Sequence, residues 1–252
     1  MAAYKEKLQN YKTEIHRRCM DTKLTKCLDL SGLKLYTIPK DVILLGHTLR
    51  HLYLHKCSLK DGFPFEIMHL PSLETLDLSQ NRLTIIPDSF CVTARLLRVL
   101  DVSYNELYRL PSSMNEMIQL REFNAAHNKL IYIPSELGKL RHLEEVDLNN
   151  NDLLGLPNTL FDDAASCSIL SLNVAGNQLT ELPKSLGCVK GLQSLNLSNN
   201  KLKYVPASMK QLKKLHTLHY GYNEWYALKY AKRGDNKAYG CKALFLIGVL
   251  SL

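Results

Sequence analysis

One arrangement of apolar and polar positions repeats along this chain. It is plainest from Leu192 to Pro206, LQSLNLSNNKLKYVP, where Leu192, Leu195, Leu197, Asn200 and Leu202 set a frame LxxLxLxxNxL that closes on Val205-Pro206. The alternation in LxLxL predicts a short strand with one buried face. The asparagine position recurs at Leu33, Cys57, Asn81, Asn105, Asn128, Asn151, Asn177, Asn200 and Asn223, at intervals of 24, 24, 24, 23, 23, 26, 23 and 23 residues. The closing pairs are Ile38-Pro39, Phe63-Pro64, Ile86-Pro87, Leu110-Pro111, Ile133-Pro134, Leu156-Pro157, Leu182-Pro183 and Val205-Pro206, so only Pro71 stands outside the pattern.

A strand this short cannot bury its leucines alone, but parallel stacking of successive coils buries them in one continuous core. A leucine-rich frame with this period predicts an α/β leucine-rich repeat solenoid, a horseshoe of about nine repeats with a concave parallel β-sheet. The asparagines Asn81, Asn105, Asn128, Asn151, Asn177, Asn200 and Asn223 are expected to form a structural ladder. Their amides offer donors and acceptors to backbone groups that would otherwise be buried unpaired. Cysteine, as at Cys57, is a tolerated substitute there. Proline after the last apolar residue is expected to stop the chain continuing as helix or strand.

The array divides the chain into an amphipathic helical cap at 1–22, a solenoid at 23–229 and a C-terminal cap or irregular tail at 230–252. In the first segment Tyr4, Leu8, Tyr11, Ile15 and Cys19 share one helical face, opposite Lys5, Lys7, Lys12, Glu14 and Arg17. That face reads as a cover for the open edge of the first coil. In the last coil Trp225 replaces leucine, and Trp225, Leu228 and Tyr230 are expected to seal the core. The apolar run from Ala243 to Leu250 is too short to span a bilayer, and no transmembrane segment is expected. This end is either a true cap or the end of a truncated or alternatively spliced chain. The 26-residue interval hides an insertion at 158–168, expected as a longer convex turn or helix with Asp162 and Asp163 exposed.

Charge is uneven. The formal net charge is +8, and seven Lys/Arg against three acids in residues 1–26 give +4 while ten against two in 201–252 give +8. The middle carries fifteen against nineteen, or −4. Seven scattered cysteines (Cys19, Cys27, Cys57, Cys91, Cys167, Cys188 and Cys241) fit no paired disulfide caps, and the N-terminus lacks the apolar core of a secretory signal. Reduced thiols and a cytoplasmic location follow as expectations, with the nucleus as the alternative.

Candidate binding residues come from positions facing away from the leucines. His51, Tyr53 and His55 share one strand side in the second coil. Two histidines without a third ligand do not make a metal site, so this trio reads as an aromatic contact patch and no metal is expected. In the regular coils the trios Thr75/Asp77/Ser79, Val99/Asp101/Ser103, Glu122/Asn124/Ala126 and Glu145/Asp147/Asn149 are expected to face solvent. Their middle members align as a column, Asp77, Asp101, Asn124 and Asp147, continued by Asn173 and Asn196. This column has two readings: DLSxN is close to the repeat's consensus and serves the fold, or its exposed polar groups contact a partner. A second column precedes the asparagines, Lys56, Gln80, Tyr104, His127, Asn150, Gly176, Asn199 and Tyr222. Tyr104, His127 and Tyr222 depart from small polar residues there, and tyrosine is favoured at binding hot spots.

There is no GxGxxG, GxxxxGK[ST], GxSxG, HExxH or CxxC, so neither an enzyme nor a cofactor is expected. The rival to a protein-binding scaffold is a membrane- or nucleic-acid-associated protein acting through its basic ends, including Lys201, Lys203, Lys210, Lys213, Lys214, Lys229, Lys232 and Arg233. No nucleic-acid-binding module accompanies those lysines, and nucleic acid is not the expected partner.

The coil ending LPxxLxxLxxL, seen in residues 135–143 (SELGKLRHL) and 184–192 (KSLGCVKGL), resembles the 23-residue intracellular leucine-rich repeat class. That class includes the Ras-suppressor-like proteins, the Ras–Raf scaffold with its phosphatase partner and the plant Ras-group proteins. The resemblance covers residues 28–225. It implies a monomeric, non-catalytic adaptor in cytoplasmic signalling that binds a protein partner, such as a small GTPase or a phosphatase complex.

Overall fold

The computed structural model describes residues 13–22, 25–35, 37–59, 62–162 and 168–224. Among these, nine three-residue strands, β1 (Cys27–Asp29), β2 (His51–Tyr53), β3 (Thr75–Asp77), β4 (Val99–Asp101), β5 (Glu122–Asn124), β6 (Glu145–Asp147), β7 (Ser171–Asn173), β8 (Ser194–Asn196) and β9 (Thr217–His219), form one sheet. They lie in sequence order and every neighbouring pair is parallel. The register is in phase: Leu28, Leu52, Leu76, Leu100, Phe123, Val146, Leu172, Leu195 and Leu218 follow one another across the sheet, all buried. The chain is a leucine-rich repeat solenoid, and its leucines form one cluster from Ile15 to Tyr220.

The asparagines lie inside. Asn128 donates from Nδ2 to the carbonyls of Val102 (3.0 Å), Ala125 (3.1 Å) and Ala126 (3.2 Å), and its Oδ1 accepts from the Leu107 amide at 2.9 Å. Each amide thus ties its own turn to the previous coil. The same pattern holds from Asn81 to Asn223, all between 4% and 8% exposed. Cys57 does part of this work. Its thiol donates to the Leu30 carbonyl at 3.1 Å, but sulfur offers no carbonyl-like acceptor, and the Leu35 amide turns instead to the carbonyls of Leu33 and Cys57.

The prolines start something rather than stop it. Pro39, Pro64, Pro87, Pro111, Pro134, Pro183 and Pro206, all near the ring-fixed φ, stand at the N-caps of the short helices and 3₁₀ turns on the convex side. There the missing N–H costs nothing, and Pro39, Pro64, Pro87, Pro134, Pro183 and Pro206 accept an amide three residues on. Successive turns approach at backbone distance. A Cβ on Gly138 would overlap the carbonyl oxygen of Leu160, so glycine is required in that turn. Of the insertion, 158–162 and Ser168 are described; 158–162 is a turn that buries Leu160 and Phe161 and leaves Asp162 exposed, and Asp163 lies outside the described residues.

At the N-terminus helix α1 (13–22) buries Ile15 and Cys19. Arg18 ties it to the sheet by donating to the Asp29 carbonyl at 2.8 Å, and Arg17 and Arg18 hold the Glu14 carboxyl down to about 2. Tyr4, Leu8 and Tyr11, like Trp225, Leu228, Tyr230 and the whole 230–252 segment, lie outside the described residues. No helix among the described residues is long and apolar enough to cross a membrane.

Candidate functional site: the concave sheet face

A three-residue strand in a parallel stack points its middle residue inward and its first and third residues to the concave side. The third positions form the column Asp29, Tyr53, Asp77, Asp101, Asn124, Asp147, Asn173, Asn196 and His219. The column expected from the sequence runs from Asp77 to Asn196, with Tyr53 read separately in the His51/Tyr53/His55 patch. It lacks Asp29 and His219, which the frame spacing alone would supply.

Both readings of the column have a physical counterpart. One side-chain oxygen serves the fold: Oδ1 of Asp29, Asp77, Asp101, Asn124, Asp147, Asn173 and Asn196 accepts the amide two residues on, at 2.8 to 3.2 Å. These are Asx turns that carry the chain out of the strand. The rest of each side chain faces the groove. Asn124 donates to Oδ2 of Asp101 at 2.9 Å and Asn173 to Oδ2 of Asp147 at 3.2 Å. Oδ2 of Asp77 has no hydrogen-bond partner among the described residues.

The trios need a correction. Their third members do not all face solvent: Ser79, Ser103 and Ala126 are buried, because the Asx turn folds them under the next coil. His51 and His55 do not converge on a shared ion either. Nδ1 of His51 lies 3.1 Å from Oγ1 of Thr75, and Nδ1 of His55 lies 2.9 Å from Oγ of Ser79, so each imidazole is engaged by the next coil. Between them Tyr53 is half-buried. Burial, together with Cys27, Asp77 and Asp29 around it, holds its phenol above the ordinary value.

The second column has a backbone feature that residue types only hint at. Lys56, Gln80, Tyr104, His127, Asn150, Asn199 and Tyr222 all have φ between 51° and 56°, and Gly176 has φ 64°. Each of these coils passes through the left-handed region immediately before its asparagine position. Gly32, Gly176, Asn150 and Asn199 are the sequence signal, since these types tolerate that region. Tyr104 and Tyr222 occupy it without that tolerance. Tyr104 and His127 stack face to face, centroids 4.1 Å apart and planes within 10°, and Asn150 Nδ2 lies 3.1 Å from His127 Nε2. Tyr104 is 51% exposed and Tyr222 66%.

A groove of about 390 Å³ runs from β4 to β9 over this face. Its walls include Asp101, Glu122, Glu145 and Asp147, with His219 at the far end and no lysine or arginine among the described residues. One residue before the strands, charges are matched instead. Arg50 meets Glu74 at 2.7 Å, Arg98 meets Glu74 at 3.8 Å and Arg121 meets Glu144 at 2.8 Å. Lys201, Lys203, Lys210, Lys213 and Lys214 are exposed and line no part of the groove. Among the described residues no group of three His, Cys, Asp or Glu is placed to hold a metal.

The family profile described as leucine rich repeat matches residues 47–107, 71–130 and 141–202. The chain belongs to the leucine-rich repeat family. Among solved leucine-rich repeat structures, a protein of Leptospira interrogans superposes with a TM-score of 0.71 at 36% identity, over 78% of this chain and 48% of that one. An internalin of Listeria monocytogenes gives 0.62 at 21% identity, over 79% of this chain and 56% of that one. A TLR13–ssRNA13 complex gives 0.64 at 22%, over 78% and 32%. The last two show the fold alone. The mouse leucine-rich repeat-containing G-protein coupled receptor 4 is 38% identical over 64 residues, which is 25% of this chain and 7% of the receptor. The chain thus spans about half of the Leptospira protein and a small fraction of the receptor.

Proposed function

We propose that this chain is a non-catalytic scaffold that grips a protein partner across its concave face, with Tyr53, His55, Asp77, Asp101, Tyr104, Asn124, His127, Asp147, Asn173, Asn196 and Tyr222 as the contact columns. The observation that carries this reading is the Tyr104–His127 stack. It sets flat aromatic surface on a rigid edge, at left-handed backbone positions where glycine or asparagine would be less strained. Family membership supports the coarser statement, because leucine-rich repeat domains commonly serve as interaction scaffolds. The finer reading is an adaptor in cytoplasmic signalling, acting on a small GTPase or phosphatase complex. It rests on the resemblance of the LPxxLxxLxxL coils to the intracellular class.

The groove's four carboxylates argue against a phosphate backbone on this face, since nucleic-acid binding draws its affinity from cations meeting phosphates. Quantitative pull-down with wild type and Tyr104→Ala/His127→Ala tests the proposal. Loss of partners from the double variant is expected, with its melting temperature little changed. Equal recovery of every partner would count against this surface.

A further inference from the structure

The concave floor is acidic in a way that the rest of the sheet is not. The acids just before the strands, Glu74 and Glu144, each have an arginine within 4 Å. Glu122 and Glu145 are exposed and have no hydrogen-bond or ion-pair partner among the described residues. The register sets Glu122 directly beside Glu145 and Asp77 directly beside Asp101. Like charges facing each other on neighbouring strands destabilise a sheet. The fold can supply arginines next door, yet here it leaves the Glu122–Glu145 repulsion standing in the open groove, with the Asp77–Asp101 pair at its end.

We infer that the groove takes an extended, lysine- and arginine-rich segment of a partner polypeptide, its cations spread over Glu122, Glu145, Asp101 and Asp147. This rests on the concave-face reading and gives the partner its chemistry. The groove has a volume of about 390 Å³ and runs across six strands. Same-side residues of an extended peptide recur about every 7 Å, and the four carboxylates sit on β4 to β6, about 10 Å from first to last strand, so two successive same-side cations can engage them. The Tyr104 ring along the edge offers a further place for a guanidinium.

Fluorescence anisotropy with labelled peptides of about a dozen residues, alternating Arg/Lys with Thr, tests this against a Glu/Thr counterpart. Wild type is expected to bind the basic peptide, to ignore the acidic one and to lose affinity steeply as salt screens the charges. The variant Glu122→Gln/Glu145→Gln/Asp147→Asn keeps side-chain size and gives up only the Asn173 bond to Oδ2 of Asp147, and asparagine already stands in that column at Asn124. It is expected to weaken binding about thirtyfold at low salt, from a few-fold per exposed charge pair. Ser194→Trp, filling the groove without altering charge, is expected to weaken it as well.

If the basic peptide fails to bind wild type, or binds the charge variant equally well, the inference is overturned. If Ser194→Trp still abolishes binding in that second case, the concave-face reading stands and only the partner's chemistry falls. If neither variant matters, both fall. Sedimentation showing a dimer that the charge variant dissolves would assign the groove to a second copy of the chain and also overturn the inference.

Discussion

Two columns of side chains run the length of this solenoid one residue apart, and they follow opposite rules. The asparagines from Asn81 to Asn223 are nearly identical from coil to coil, buried, and bonded to three or more backbone groups each. The residues immediately before them, from Lys56 to Tyr222, share only a positive φ. In the first column the side chain holds the coils together and the backbone is ordinary. In the second the backbone makes the turn and the side chain is free to vary. The solenoid therefore offers a partner a row of variable positions rigidly indexed by a uniform row beside them.

The sharpest way to break this comparison is to put glycine in each column. Asn81→Gly removes an Oδ1 that accepts from Leu59 and an Nδ2 that donates to Leu54, Leu78 and Ser79, all buried. Stranding those groups is expected to cost about 3 kcal/mol, since each unsatisfied buried group costs about 1–3 kcal/mol. Denaturant unfolding should show a clear drop in midpoint. An unchanged midpoint would mean that water replaces the amide and that the buried column is not structural.

Cys57 tests the first column from within. Burial is the main cause that pushes its thiol up to about 11, from an ordinary value of 9.0. A group whose folded-state value is raised contributes stability that is present below the unfolded value and lost as pH rises. Between pH 9 and 11 the unfolded chain ionises this thiol while the folded chain does not, so wild type should lose stability across that window. Cys19 and Cys91 are raised to about 11 as well and add to the slope. In Cys57→Asn the slope of melting temperature against pH should be shallower, because one titrating group is gone and the ladder has its usual amide. Parallel slopes would show that burial does not raise the Cys57 thiol.

Legibility in the sequence follows the same division. The asparagine ladder is readable because an amide recurring in phase with buried leucines must meet backbone polar groups there. Asp77, Asp101 and Asn124 can be placed on one face because alternation fixes facing. The left-handed turn escapes a reading by residue type, since Tyr104 and Tyr222 disguise what Gly32 and Gly176 reveal. Strict alternation puts Ser79 and Ser103 outside only if it is continued past the strand's end, where the Asx turn reverses it. The prolines look like stops because their effect on φ is local, whereas their role as N-caps depends on the turn that follows. Alternation also places Glu122 and Glu145 on the face, but their missing arginines are visible only beside the paired Glu74 and Glu144.

Gln80→Gly is the smallest and most discriminating change. Gln80 has φ 52°, is exposed, and its side chain makes no hydrogen bond among the described residues. A residue with a Cβ loses about 1–2 kcal/mol in the left-handed region, while glycine costs about 0.5–1 kcal/mol in chain entropy. The net expectation is a gain of about 0.5 kcal/mol, opposite in sign to Asn81→Gly one residue later. Because the two positions share a turn, their difference removes most effects of the host coil. A loss at Gln80 would show that its side chain supports the coil and that the row offered to partners is less free than its exposure suggests.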